Sequence, residues 1–401
     1  MENPSDATTG ETQEPIPHDL VVDILTRLPA KALTRFLSVS TNWGSTISDP
    51  SFASTHLARS ETRPDGLTLL LTFPNENLLE RHIYTAIVPA GQTLSNPPTR
   101  NLSIPGFVSP YVSPSIRGLI CLGPGGRQAH ICNPTTREII PLPPTKTETP
   151  YDPSYTLCRS ISFGYDPVKN EHKVLYSHIL RTGYPDSEMI MEMVHKVFVV
   201  GSHCWRRIGD GPPHRPFNEG VCIQGYLYYR SYTSDDHPED QVIVEFDVGE
   251  EGFRFINLPE GNIGVENTAL VDYEGKLALV NCSILVCGGN SMEVWVLEDL
   301  AKEIWVKRFI VFGFDLGEFM VGSKFYLAGT AYTGEMIFAP RSLARPFYGN
   351  SVRRVEIRGL PEYEFRHSSY CGIHLTNHVE AYSHWLILVI EVLTLKTSLQ
   401  T

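Results

Sequence analysis

The sequence predicts a small all-α module at the N-terminus followed by a large all-β domain, and three observations carry that expectation. Apolar residues recur at helical spacing between residues 15 and 60. From about residue 67 to residue 361, short β-type runs alternate with Gly, Pro, Asn and Asp. A strand phrase led by glycine also returns at near-regular intervals. At 401 residues the chain exceeds one typical domain, so two units are expected. With 42% hydrophobic and 10% aromatic residues it can bury a sizeable core.

Residues 1–14 carry Glu2, Asp6, Glu11 and Glu14 with no basic residue, and are expected as a disordered acidic tail. In the following stretch, residues 15–60, Leu20, Val21, Ile24, Leu25 and Leu28 form one apolar stripe. Asp19 suits the first turn of that helix, and Pro29 stops it after about ten residues. A second helix groups Leu33, Phe36 and Leu37. A third aligns Val39, Trp43 and Ile47, and Asp49-Pro50 ends it. Modules this small rarely close a sufficient core alone, so the surplus apolar surface is expected to meet a partner.

Residues 61–66, with Arg63-Pro64-Asp65-Gly66, read as a linker into a β-rich domain spanning 67–380. In QVIVEFD, Val242, Val244 and Phe246 share one face and Glu245 and Asp247 the other; GEEG then turns the chain into FRFINLP as a hairpin. Such runs fit a sandwich, a barrel or a propeller. The phrase RGLICL at Gly118 returns as QGYLYY at Gly225, EGKLAL at Gly275 and VGSKFYL at Gly322. The last three lie 50 and 47 residues apart, near the ~50-residue blade of a kelch-like propeller, and the 107 residues from Gly118 to Gly225 are roughly two such periods. The domain has room for about six blades. Asn133-Pro134-Thr135-Thr136 and Asp166-Pro167-Val168-Lys169-Asn170 are turn sequences and read as hairpins. Residues 381–401 form an atypical C-terminal tail whose apolar run Leu386–Ile390 reads equally as a closing strand or as read-through.

The segment IPHDLVVDILTRLPAKALTRFLSVSTNWGSTI resembles the F-box, in the version that opens with Ile-Pro and continues Leu-Pro-Ala-Lys-Ala-Leu. CNPTTREIIPLPP, FGYDPVKNEHKVLY, GSHCWRRI, VIVEFDVGEEGFRFINLP, YEGKLALV and MEVWVLED with IWVKR resemble the F-box-associated domain of plant F-box proteins, in the same order and spacing. The resemblance implies a kelch-like propeller and a non-catalytic, substrate-recognition subunit of a cullin-RING (SCF) ubiquitin ligase. Its partners would be an SKP-family cullin linker, through it the cullin, and a protein substrate. Carried over by position, Pro17, Leu20, Ile24, Leu28, Pro29, Leu33, Val39 and Trp43 would form or support the linker-binding face. The pattern departs at Ser38, Thr41 and Gly44. The last is a residue that costs ~1 kcal/mol in a helix relative to Ala, which puts linker affinity in question.

A net charge of −12, from 45 acidic and 33 basic residues, speaks against nucleic acid and anionic membrane as partners. The N-terminus lacks a basic and apolar leader, and Trp385–Leu395 is too short to span a bilayer, so a cytoplasmic or nuclear protein is expected. The eight cysteines are scattered, read as buried reduced thiols without disulfides, and leave the sequons at Asn101 and Asn281 idle. His367, Cys371, His374 and His378 could converge on zinc only from a helix and lack a Cys-x-x-Cys knuckle, so no metal is assigned. Gly123–Gly126 lacks the ending of a phosphate loop, so no cofactor is assigned either. Glu250 and Glu251 are expected to be solvated, and Trp205, Trp295 and Trp305 to lie in the core. Substrate contacts are expected on loops around Tyr184-Pro185-Asp186 or Ser231–Asp240. The alternatives are an F-box scaffold or inhibitor that delivers no substrate, and a metal- or carbohydrate-active enzyme on a kelch-like propeller.

Overall fold

The computed structural model describes residues 16–61, 67–74, 80–88, 99–105, 111–123, 129–145, 159–182, 190–209, 211–217, 220–233, 240–260, 268–283, 289–311, 325–330, 336–340, 353–357, 374–377, 390–395 and 399–400. The expected tail, the linker Arg63–Gly66, residues 124–126, Tyr184–Asp186, residues 234–239, Gly322 and residues 381–389 lie outside these. The chain divides into two compact units, Met1–Arg63 and Pro64–Thr401.

The first unit contains helices α1 (His18–Thr26), α2 (Ala30–Phe36), α3 (Thr41–Ile47) and α4 (Pro50–Glu61). Pro17 and Pro29 precede α1 and α2 with φ near that of the helix, −51° and −58°, and extended ψ. The fourth helix was not expected: Asp49-Pro50 ends α3 and also starts α4. The Asp49 carboxylate accepts the Ser51 amide at 2.7 Å, and Pro occupies the first helical position, where no amide is needed. Leu25, Leu33 and Phe52 are buried at the centre, with Val21, Val22, Leu28, Phe36, Trp43 and Ile47 packed around them. The Trp43 and Phe36 rings meet edge to face at 5.3 Å.

Among the described residues, the second unit holds six antiparallel sheets. The first holds β1 (Leu67–Pro74), β2 (Glu80–Val88) and β3 (Thr99–Pro105); the second β4 (Ile120–Leu122), β5 (His130–Asn133) and β6 (Glu138–Pro141). The third holds β7 (Arg159–Asp166), β8 (Glu171–Thr182), β9 (Ile190–Val199) and β10 (Arg206–Arg207). In the fourth, β11 (Arg215–Pro216) and β12 (Val221–Ile223) both pair with β13 (Tyr226–Tyr232), followed by β14 (Gln241–Asp247) and β15 (Phe253–Asn257). The fifth runs β16 (Thr268–Tyr273), β17 (Lys276–Asn281), β18 (Ser291–Asp299) and β19 (Ile304–Val311). The sixth contains β20 (Phe325–Thr330), β21 (Met336–Pro340) and β22 (Arg353–Ile357). The last strands return to earlier sheets. β23 (His374–Asn377) pairs with β1, β24 (Ile390–Leu395) lies between β21 and β22, and β25 (Leu399–Gln400) pairs with β19.

Successive sheets pack face to face. Leu70 and Ile83 of the first meet Leu122 and Cys132 of the second; Ile131 meets Phe163 and Val174 of the third; Leu175 and Val197 meet Val244 and Phe246 of the fourth. Ile243 and Ile256 meet Leu277 and Leu297 of the fifth, whose Val294 and Val296 meet Met336 and Phe338 of the sixth. Strand β20 lies beside β23, so the six sheets form a closed ring. A sheet between two others buries both faces. In β14, Val242, Val244 and Phe246 face the third sheet as expected, but Glu245, expected on a polar face, is 6% exposed and accepts the Tyr228 hydroxyl at 2.9 Å.

Two turn types recur on one rim of the ring. Arg117-Gly118, Gln224-Gly225 and Glu274-Gly275 have positive φ at both residues, the geometry of the two-residue type I′ hairpin. In the second type, an Asn or Asp side chain accepts amides of the turn, and the residue four positions later has positive φ. It occurs at Asn133/Arg137, Asp166/Asn170, Asp247/Glu251 and Asp299/Glu303. Neighbouring sheets are joined along this rim. Gln224 Nε2 donates to Gly275 O at 3.2 Å, Lys169 Nζ to Gly249 O at 2.9 Å, and His172 Nε2 to Ile116 O at 3.1 Å. Because adjacent antiparallel strands reverse direction, β8, β13 and β17 end, and β9, β14 and β18 begin, on the opposite rim.

Candidate partner-docking site

The apolar stripe read along α1 divides into two faces. At about 100° per residue, Val21, Leu25 and Leu28 cluster on one side and Leu20 and Ile24 on another, too broad an arc for one contact. The first group turns inward, whereas Ile16, Leu20 and Ile24 are 58%, 51% and 50% exposed. Leu37 and Val39, after α2, are exposed as well. Of the sequence-predicted residues, Pro17, Leu20, Ile24, Pro29 and Val39 lie at the surface. Leu33 is buried, and Leu28 and Trp43 are half-buried, so these three stand behind the surface rather than on it. Ile16 and Leu37 were not among the expected residues. Ile16 precedes α1, ahead of the extended Pro17, so helical spacing gave no signal for it.

The departures at Ser38, Thr41 and Gly44 leave regular backbone. Gly44 N donates to Ser40 O at 2.8 Å, and Gly44 O accepts the Ser48 amide at 3.0 Å. A Cβ on Gly44 would stand 3.1 Å from Leu37 O, so this glycine lets α3 approach the end of α2 closely. Ser38 Oγ donates to Arg35 O at 3.0 Å, and Thr41 opens α3. Hydrogen bonds from Arg59 and Arg27 hold the Asp23 carboxyl below its ordinary range. The exposed apolar residues can exclude water against a complementary surface.

In the ring, no group of three or more His, Cys, Asp or Glu among the described residues could hold a metal ion. His374 opens strand β23 rather than lying on a helix; His367, Cys371 and His378 are outside the described residues. Burial pushes the Cys132 thiol up to about 12 and raises the Cys121 thiol as well, whereas Cys204, expected to be buried, is exposed. Glu250 is solvated, but Glu251 is not: its carboxylate accepts Lys173 Nζ at 2.8 Å and also pairs with Arg206. Trp205, Trp295 and Trp305 are half-buried rather than central; Trp205 Nε1 donates to Pro143 O at 2.6 Å and Trp305 Nε1 to Asn257 O at 3.0 Å. His195 and His214 stack at 5.1 Å between the third and fourth sheets. His214 accepts the Tyr229 hydroxyl at Nε2 and donates from Nδ1 to Pro212 O, and burial lowers its imidazole pKa. Among the described residues no helix is long and apolar enough to cross a membrane.

Comparison with known proteins matches residues 15–55 to a family model described as an F-box domain, and residues 68–379 to one described as an F-box associated beta propeller domain. F-box protein At4g19940 of Arabidopsis thaliana is 31% identical over 373 residues, which cover 86% of this chain and 87% of that protein. F-box protein DOR, also of Arabidopsis thaliana, is 30% identical over 377 residues, or 88% and 91%. A Synechocystis apocarotenoid oxygenase structure covers 69% of this chain and 72% of its own at 9% identity, with a TM-score of 0.28 too low to bear on the fold.

Proposed function

Because this chain belongs to the F-box proteins that carry an F-box-associated β-propeller domain, we propose that it is the substrate-recognition adaptor of a cullin-RING ubiquitin ligase. The observation that carries this reading is the set Ile16, Leu20, Ile24, Leu37 and Val39, apolar and exposed on a module whose core is already filled by Leu25, Leu33 and Phe52. That surface docks on an SKP-family cullin linker. Pro17, Leu28, Pro29, Leu33 and Trp43 shape it from the flanks and from behind.

The ring, whose sheets act as kelch-like blades, holds a target protein so that one of the target's lysines stays near the ubiquitin-charged enzyme. The acceleration comes from effective concentration and orientation, and no residue of this chain acts as catalyst. The target is gripped on the rim where β8 and β13 end and β9 and β14 begin, because the opposite rim is occupied by tight turns that hydrogen-bond to one another. The protein works in the cytoplasm or nucleus.

Binding of the full chain to a recombinant plant SKP-family linker tests the reading. Wild type is expected to bind at micromolar or tighter Kd, and the Leu20→Asp, Ile24→Asp double variant to lose at least about a hundredfold, ~2.7 kcal/mol. No binding by the wild-type chain, or equal binding by the variant, would overturn it.

A further inference from the structure

Helix α4 runs on to Glu61, past the matched F-box segment that ends at residue 55, and its second half grips α1. Arg59 donates from Nη2 to Asp23 Oδ1 at 2.7 Å, and from Nη1 to Thr26 Oγ1 at 2.6 Å and to Asp23 O at 3.2 Å. Thr26 Oγ1 itself donates to Asp23 O at 3.1 Å, and Arg27 Nη2 lies 2.9 Å from Asp23 Oδ2. One turn earlier on α4, His56 Nε2 donates to Leu28 O at 2.9 Å. The last turn of α1 is tightened, with Arg27 N donating to Ile24 O at 3.1 Å. Carbonyls at a helix C-terminus lack intrahelical donors, and a cation suits that negative end.

We propose that Arg59 and His56 are positioning residues for linker docking, holding the carboxyl half of α1 so that Ile24 and Pro29 keep their places on the apolar face and Leu28 its place behind it. This rests on the adaptor reading above. The ion pair itself adds little stability, because the Asp23 and Arg59 side chains are 37% and 39% exposed. What the guanidinium supplies is geometry: a planar fork meets a carboxylate, a hydroxyl and a main-chain oxygen at once, which a lysine ammonium on a flexible stem does not reproduce. The docking module thus extends through residue 59.

The experiment compares wild-type, Arg59→Ala, Arg59→Lys, Asp23→Asn and Asp23→Asn/Arg59→Ala full-length chains. Kd and dissociation rate are measured with a recombinant SKP-family linker, at a temperature where circular dichroism gives all five the same helicity. Arg59→Ala is expected to weaken binding about tenfold, mainly through faster dissociation, with faster amide exchange at residues 24–28 of the unbound chain. Arg59→Lys should recover only part of the loss, and the double variant should be no worse than Arg59→Ala, because both partners belong to one network. Should Arg59→Ala fail to fold, Asp23→Asn supplies the same comparison, with an expected loss of several-fold. Wild-type affinity in Arg59→Ala, full recovery by Arg59→Lys, or losses that add in the double variant would overturn the positioning role while leaving the adaptor reading intact. A wild-type chain that does not bind the linker would sink the adaptor reading and this role with it.

Discussion

His172 lies beside the rings of Phe163, at 5.4 Å, and Tyr165, at 4.9 Å, and burial, with the charge of Arg117, pushes its imidazole down to about 4. Because the folded value lies below the unfolded one near 6.5, the neutral form is favoured in the fold. Stability from this group is complete above pH ~6.5 and is lost as the pH falls toward 4, by up to ~3 kcal/mol. His214 contributes in the same direction. Urea unfolding at pH 7 and pH 4.5 should therefore give a smaller difference in His172→Gln than in wild type, and an equal difference would refute the assignment. Neither this environment nor that of Glu251 was legible in the sequence. The partners of Glu251, Lys173 and Arg206, lie 78 and 45 residues away, and only the ring brings them to the same turn. Leu20 and Ile24 were legible as apolar helical positions, and the F-box resemblance put them on the docking face; periodicity alone did not give their outward direction, since it depends on Leu25, Leu33 and Phe52 filling the core.

At the scale of elements, the glycine phrase marked the type I′ hairpins at Gly118, Gly225 and Gly275, because glycine at positive φ is a strong local signal. The companion turn was legible at Asn133 and Asp166, where proline announces it, and at Asp247, where Gly249–Gly252 read as a hairpin turn. At Asp247/Glu251 and Asp299/Glu303 the same geometry is built without proline, and the residues with positive φ are glutamates. Helix α4 was missed because Asp49-Pro50 both ends one helix and starts the next. Two of these hairpin glycines, Gly118 and Gly225, make different demands. A Cβ at Gly118 meets nothing within 4 Å, whereas at Gly225 it would stand 2.9 Å from Pro167 Cδ in the next sheet. Gly118→Ala is expected to cost the left-handed backbone term alone, ~1–2 kcal/mol, and Gly225→Ala clearly more. Thermal unfolding of the two variants measures this, and equal losses would show that Pro167 yields freely.

Across the whole molecule, the division into a helical module and a repeated β domain was readable from periodicity, as was a six-part repeat from its length, but the closure was not. A four-residue strand, β23, pairs with β1 about 300 residues earlier in the chain, and no local pattern announces such a pairing. If β23 completes the ring, replacing His374–Asn377 with Gly-Ser-Gly-Ser should speed amide exchange at Leu69–Thr72 and lower stability by on the order of 2–3 kcal/mol. Unchanged protection there would mean that the first sheet stands without it.

That closure also sets an order of events on the ribosome. The helical module can fold once its own residues have emerged, but β1 must wait for β23. At 5–20 residues per second, the inner edge of the first sheet stays unpaired for on the order of 15–60 s of synthesis. Throughout that interval the nascent chain presents an open strand edge to its surroundings, which makes chaperone supply during translation the expected limit on its yield in a heterologous host.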